Sequence, residues 1–162
     1  MSKIVIKASE ISNLTDARYF SAQGVDWLGF VLDSENSSYV SPTQLAAMRE
    51  WLSGPGIVAE LGTYTDSEIL KHVIEIVKPD AIQIGQFTNP ESVRLLNSDT
   101  TFILEQIPDD ITQLESFESE WEKWNNIVIF FQLNLEKNGF NWKMIKENGP
   151  ILKSLKKLCR NF

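Results

Sequence analysis

Residues 57–84 read IVAELGTYTDSEILKHVIEIVKPDAIQI, and this stretch decides the fold. Ile57 to Leu61 is an apolar, β-branched run of strand length. Thr65 or Asp66 then supplies a helix cap, and the following residues to Val77 are amphipathic. Lys78-Pro79 stops that helix, because the residue before proline is pushed out of the helical region. Ala81 to Ile84 begins a second apolar run. A strand, a capped helix and another strand in so few residues form a βαβ unit, which implies two parallel strands with a right-handed crossover.

The same unit recurs on both sides. Upstream, Ile4-Val5-Ile6 is the first strand candidate. Asn13 caps a helix through about Gln23 with Gly24 as terminator, and Trp27 to Leu32 is the second strand. Ser41-Pro42 opens the next helix and Gly54-Pro55-Gly56 closes it. Downstream, Asn89-Pro90-Glu91 starts a short helix to Asn97, and Thr101 to Ile107 is strand five. A charged helix from about Ile111 to Trp124 follows, and Ile127 to Leu133 is strand six. The pattern predicts an α/β fold, a parallel (β/α) repeat that makes an incomplete TIM-barrel-like sheet of six to seven strands in a single domain over residues 1–162. Asn141 to Ile145 starts another short helix, and Pro150-Ile151-Leu152 is either a strand stub or the start of a helix ending at Arg160. A closed eight-stranded barrel takes roughly 200 residues or more, so 162 residues fall short of one.

Composition narrows the partners. The formal net charge is -7, with 43% hydrophobic and 23% charged residues, which suits a globular chain and argues against nucleic acid. The basic run Lys153–Arg160 reads as a solvated helix face. One cysteine, Cys159, excludes an internal disulfide and points to a reducing compartment. With a single histidine, His72, inside a helix, a conventional metal site is not expected, and nothing calls for a cofactor. No apolar run approaches the roughly 18 residues of a membrane helix. The expectation is a cytoplasmic protein with no membrane partner.

Five collinear segments carry a resemblance. Ile11-Ser12-Asn13-Leu14-Thr15-Asp16-Ala17, Gly24-Val25-Asp26-Trp27-Leu28-Gly29-Phe30, Tyr39-Val40-Ser41-Pro42, Asp80-Ala81-Ile82-Gln83-Ile84 and Phe140-Asn141-Trp142 stand in that order. They resemble the segments I-T-N-L-E-D-A, G-A-D-A-L-G-F, R-Y-V-S-P, D-A-V-Q-L and F-D-W of phosphoribosylanthranilate isomerase. The resemblance implies a (β/α)8 barrel and an Amadori rearrangement in tryptophan biosynthesis, in which an acid opens the ribose ring and a base removes a carbon-bound proton.

The positions that would act are substituted. Where the family has its basic cysteine in K-I-C-G, this chain has Lys7-Ala8-Ser9-Glu10, so Ser9 replaces the thiol and Glu10 the glycine. A hydroxyl without an activating partner is a poor base. Where the family has an acidic aspartate ending strand six, this chain has Gln132, whose amide cannot release a proton at neutral pH. The family arginine before Y-V-S-P is Ser38, and the histidine of Q-L-H-G is missing after Gln83-Ile84. The phosphate-holding loops after strands seven and eight have no counterpart before Phe162. The resemblance therefore implies a scaffold with little or no isomerase activity, keeping Lys7, Gln83 and Ser38 at ligand-binding positions.

The alternative is an active isomerase or lyase on a small, phosphorylated metabolite, with Glu10 or Glu105 as substitute base. A third account is a truncated product of a longer gene. Glu10, Glu60, Glu105, Gln83, Gln106 and Gln132 fall near strand ends, where they form either an acidic, amide-rich pocket or an ordinary polar rim. Six strands leave strands one and six without the neighbours that would close the ring; either Trp142–Phe162 folds across the gap or two chains associate through it, and the expected cover is a homodimer with part of that segment at the interface. Trp51, Trp121, Trp124 and Trp142 are expected to pack helices onto the sheet.

Overall fold

The computed structural model of the chain describes residues 5–63, 65–96, 100–109, 122–124, 126–128, 130–147, 149–150 and 153. Six strands, β1 (Lys7–Ala8), β2 (Trp27–Val31), β3 (Gly56–Glu60), β4 (Ala81–Gly85), β5 (Thr101–Gln106) and β6 (Phe130–Leu133), form one sheet in the order β1-β2-β3-β4-β5-β6. Every neighbouring pair is parallel. The connections carry α1 (Leu14–Ala22), α2 (Pro42–Arg49), α3 (Ser67–Val77) and α4 (Pro90–Arg94), residues 122–124 are helical, and α5 (Trp142–Glu147) follows β6. Sequential strand order with helical crossovers produces a curled, incomplete barrel, as the sequence pattern predicts.

The local signals act as expected where capping chemistry is strong. Asn13 Oδ1 accepts from Asp16 N at 2.9 Å, and Gly24 leaves the helix at φ +79. Ser41 and Gln44 form a reciprocal capping box, with Pro42 in the first turn. Asp66 caps α3 by accepting from Glu68 N at 3.0 Å and Ile69 N at 2.9 Å, which settles the choice between Thr65 and Asp66. An Asp66→Ala variant is expected to lose about 1 kcal/mol in a urea melt, the usual cost of an N-cap side chain.

Three expectations are corrected. The first strand is Lys7–Ala8 and does not include Val5 and Ile6, Ile4 lying outside the described residues; Ile6 instead gives its carbonyl to Asp26 N and Trp27 N, and its own N–H to Asp26 Oδ2. The second helix stops at Arg49, well before Gly54, because its last turn is closed by Trp51 N and Leu52 N bonding back to Met48 and Arg49. Trp51 is 67% exposed, whereas Trp124 is buried and packs as expected. The expected helix from Ile111 lies outside the described residues except at its end, as do Ile151, Leu152 and the Lys153–Arg160 run beyond Lys153.

Strand alternation divides the core into two layers. On the helix-facing side Leu28, Phe30, Ile57, Ala59, Ile82, Ile84, Phe102 and Leu104 pack against Ala17, Leu45, Leu70, Val73, Val77 and Val93. On the inner side Val58, Ala81 and Ile103 pack with Trp27 into a smaller apolar floor. One pleat further along the same side, β3, β4 and β5 present Glu60, Gln83 and Glu105. The inside of the curl is apolar at its base and polar at its C-terminal mouth. Among the described residues no helix is long and apolar enough to cross a membrane.

Candidate functional site

The polar mouth is organised by two buried carboxylates. Glu60, 4% exposed, ends β3 and folds its side chain back over Gly29 of β2. A Cβ on Gly29 would lie 2.1 Å from Glu60 Oε1, so the hydrogen at this position is what makes room for the carboxylate. Lys7 Nζ donates to Glu60 Oε1 at 2.8 Å and also to Gln83 Oε1. The other Glu60 oxygen accepts from the Glu10 backbone N–H at 3.1 Å. That bond holds Glu10 at φ +59, a left-handed conformation that a non-glycine residue adopts at a cost of about 1 kcal/mol.

Glu105, 3% exposed, is the last residue but one of β5. Its Oε1 accepts from Asn134 Nδ2 at 2.8 Å and from Gln132 Nε2 at 3.4 Å, and Lys137 Nζ approaches its Oε2 at 3.1 Å. Both carboxylates are thus buried with charged and amide partners, the condition under which a buried charge is tolerable. Neither is an ordinary polar rim residue.

These groups line a cavity of about 410 Å³ at the C-terminal ends of the strands. An adjoining cavity of about 450 Å³ is walled by Lys7, Ser9, Gln132 and the segment from Leu133 to Glu136. Of the residues singled out from sequence, Ser9, Glu10, Gln83, Glu105 and Gln132 meet at the first cavity, and Lys7 at the second. Ser38 lines neither; its N–H donates to Asn36 Oδ1 at 2.8 Å in the loop after β2. His72 is exposed on α3.

Chemically, the two expected substitute bases are not equivalent. The Glu105 oxygens are committed to Gln132, Asn134 and Lys137, so little lone-pair capacity remains for a substrate proton. Glu10 is exposed, faces the cavity and has no side-chain partner among the described residues. No group of three His, Cys, Asp or Glu side chains among the described residues is arranged to hold a metal ion.

Sequence reasoning missed Asp33, Asn36, Asn134, Glu136 and Lys137, which also line the first cavity. Their signal was positional. They follow directly on β2 and β6, and in a parallel (β/α) scaffold the loops after the strands surround the mouth.

Comparison with known proteins gives one consistent direction. No protein-family model matches the chain. Curated proteins named N-(5'-phosphoribosyl)anthranilate isomerase from Brucella canis and Brucella abortus are each 26% identical over 73 residues, 45% of this chain and 33% of theirs. The match therefore spans about a third of those relatives' length. Among solved structures, phosphoribosyl anthranilate isomerase from Thermotoga maritima superimposes with a TM-score of 0.71 at 20% identity, covering 88% of this chain and 70% of that one. The enzyme from Thermococcus kodakaraensis gives 0.73 at 15% identity over 94% and 73%. That from Pyrococcus furiosus gives 0.70 at 14% identity over 95% and 84%. The resemblance read in five short segments of sequence thus stands, and the chain has the (β/α) barrel-type fold of the phosphoribosylanthranilate isomerases.

Proposed function

We propose that this chain is a phosphoribosylanthranilate isomerase-like scaffold that holds a small polar ligand at its mouth and carries out little or no isomerisation. The carrying observation is that Ser9 and Gln132, the residues at the family's base and acid positions, face the same cavity from opposite edges of the sheet. Ring opening needs a proton delivered to the ribose oxygen, and the Gln132 amide has none to give. Proton removal from carbon needs a base, and the Ser9 hydroxyl has no activating partner among the described residues. Loss of either role typically costs about 10²–10⁴-fold, so loss of both leaves little rate.

A second reading is favoured by the uncommitted carboxylate of Glu10, which stands beside Ser9 at the cavity and could serve as base in an isomerase or lyase acting on a small metabolite. Complementation of a tryptophan auxotroph lacking the isomerase separates the two. No growth without tryptophan is the expected result, and growth would overturn the proposal. If growth occurs, its loss in Glu10→Gln would establish the second reading, while unchanged growth in that variant would exclude it.

A further inference from the structure

Lys7 is a largely buried amine for which the proposed function has no chemical use. Its side chain is 15% exposed, and its Nζ donates to Glu60 Oε1 at 2.8 Å and to Gln83 Oε1. Those two bonds use two of the three N–H groups of an ammonium, and no described residue takes the third. Lys7 lines the cavity of about 450 Å³ together with Ser9 and Gln132, while Glu60 lines the neighbouring cavity of about 410 Å³. The pair therefore stands between two cavities and not in the apolar core.

That placement bears on what the pair is for. A buried ion pair is often replaceable by apolar side chains with no loss of stability, so stability alone does not account for one at a cavity wall. A lysine screened from water is also the protein amine that adds to carbonyl carbon, provided that a neighbouring group carries its protons. Glu60 is within hydrogen-bond reach of Nζ, as a proton carrier must be.

We infer that Lys7 forms a Schiff base with a small hydroxyketone seated against Lys7, Ser9 and Gln132, with Glu60 carrying the protons. Nζ gives a proton to Glu60, and its lone pair bonds to the carbonyl carbon while the C=O π pair moves to oxygen. Glu60 returns that proton to the oxygen, takes a second one from Nζ, and delivers it to the hydroxyl, which leaves as water as C=N forms. Both hydrogens of the water come from Nζ and its oxygen from the ketone, so no oxidant or reductant is consumed. Nitrogen is an ammonium before the reaction and an iminium after it, so Glu60 keeps a cationic partner at both ends. The Ser9 hydroxyl supplies a donor for the carbonyl oxygen. This rests on the proposal that the mouth holds a small ligand, and adds the chemistry of that ligand.

Reductive trapping of dihydroxyacetone on the full chain with cyanoborohydride, followed by mass mapping of the labelled lysines, tests it. Lys71 is the internal comparison, because it also pairs with a glutamate, Glu68 at 2.9 Å, but stands 55% exposed on α3. Lys7 is expected to be labelled about 100-fold faster than Lys71 despite its burial, the scale of gain from a positioned proton carrier. Glu60→Gln keeps an acceptor for Nζ and removes the carrier, and is expected to slow labelling of Lys7 about 100-fold while leaving Lys71 unchanged. Labelling of Lys7 no faster than that of Lys71 in the unaltered chain would overturn the inference, whether or not the variant folds. Unchanged labelling of Lys7 in Glu60→Gln would overturn the role of Glu60. Backbone amide shifts on adding dihydroxyacetone without reductant report binding separately. Shifts at the cavity with no selective label would overturn the Schiff base and leave the small-ligand proposal standing, whereas neither shifts nor label would overturn both.

Discussion

Glu60→Ala is expected to lower the stability of the chain by about 3 kcal/mol, the lower end of the range for breaking a buried ion pair. The lysine side chain left behind is 15% exposed and would lose its only carboxylate partner among the described residues. The variant would also remove the acceptor of the Glu10 N–H, and with it the bond that holds Glu10 at φ +59. Urea unfolding monitored by tryptophan fluorescence measures the loss as a shift in midpoint at constant slope. The double variant Lys7→Met/Glu60→Leu is expected to regain much of the loss, because apolar side chains of similar volume need no partner. A double variant no more stable than Glu60→Ala would show that the pair itself is not the source.

The second large effect is expected at Gly85, the last residue of β4. A Cβ there would lie 2.3 Å from Thr63 Cα and 2.5 Å from both the carbonyl carbon and oxygen of Thr63. All three are backbone atoms, so no side chain can rotate out of the way. The Thr63 carbonyl also accepts from Phe87 N at 3.0 Å, so moving it breaks the loop after β4. Gly85→Ala is expected to cost about 3 kcal/mol, at the upper end for overpacking a buried site. The same measurement applied to Gly54→Ala is a useful contrast. Gly54 has open space around its Cβ position and only its φ of +106 resists substitution, so its cost is expected to stay near 1–2 kcal/mol.

Much of the scaffold was legible because its signals are local. Asn13, Ser41, Asp66 and Asn89 each cap the helix expected of them, since a side-chain oxygen reaching an N–H two or three residues on needs no information from elsewhere in the chain. Strand positions came within a few residues for the same kind of reason. The first strand was misplaced because Ile4, Val5 and Ile6 have the β-branched composition, while pairing with Trp27 and Leu28 fixes Lys7 and Ala8 as the strand. Lys7 is a poor strand residue by propensity and takes its place through the Glu60 and Gln83 partners it finds across the sheet.

The candidate site was legible in its membership but not in its roles. Ser9, Glu10, Gln83, Glu105 and Gln132 could be named because strand ends in a parallel sheet share one mouth. That Glu105 is committed to three donors while Glu10 is not depends on the loop carrying Asn134 and Lys137, which follows β6 by only a few residues but reaches back to β5. Ser38, expected at a ligand-binding position, turns out to close its own loop through Asn36.

The sequence by itself determined the alternation of strands and capped helices, the parallel order that follows from it, and the placing of Ser9 and Gln132 near strand ends. These are properties of residue type and short-range spacing. Only the tertiary structure decided that Glu60 and Glu105 are buried and paired, that Gly29 exists to make room for one of them, and that Glu10, Asp33 and Glu136 face the cavity unneutralised. Whether a carboxylate is a partner, a base or a ligand contact is set by which groups the fold brings within about 3 Å of it. Those groups stand as far as 53 residues away along the chain, as Lys7 does from Glu60.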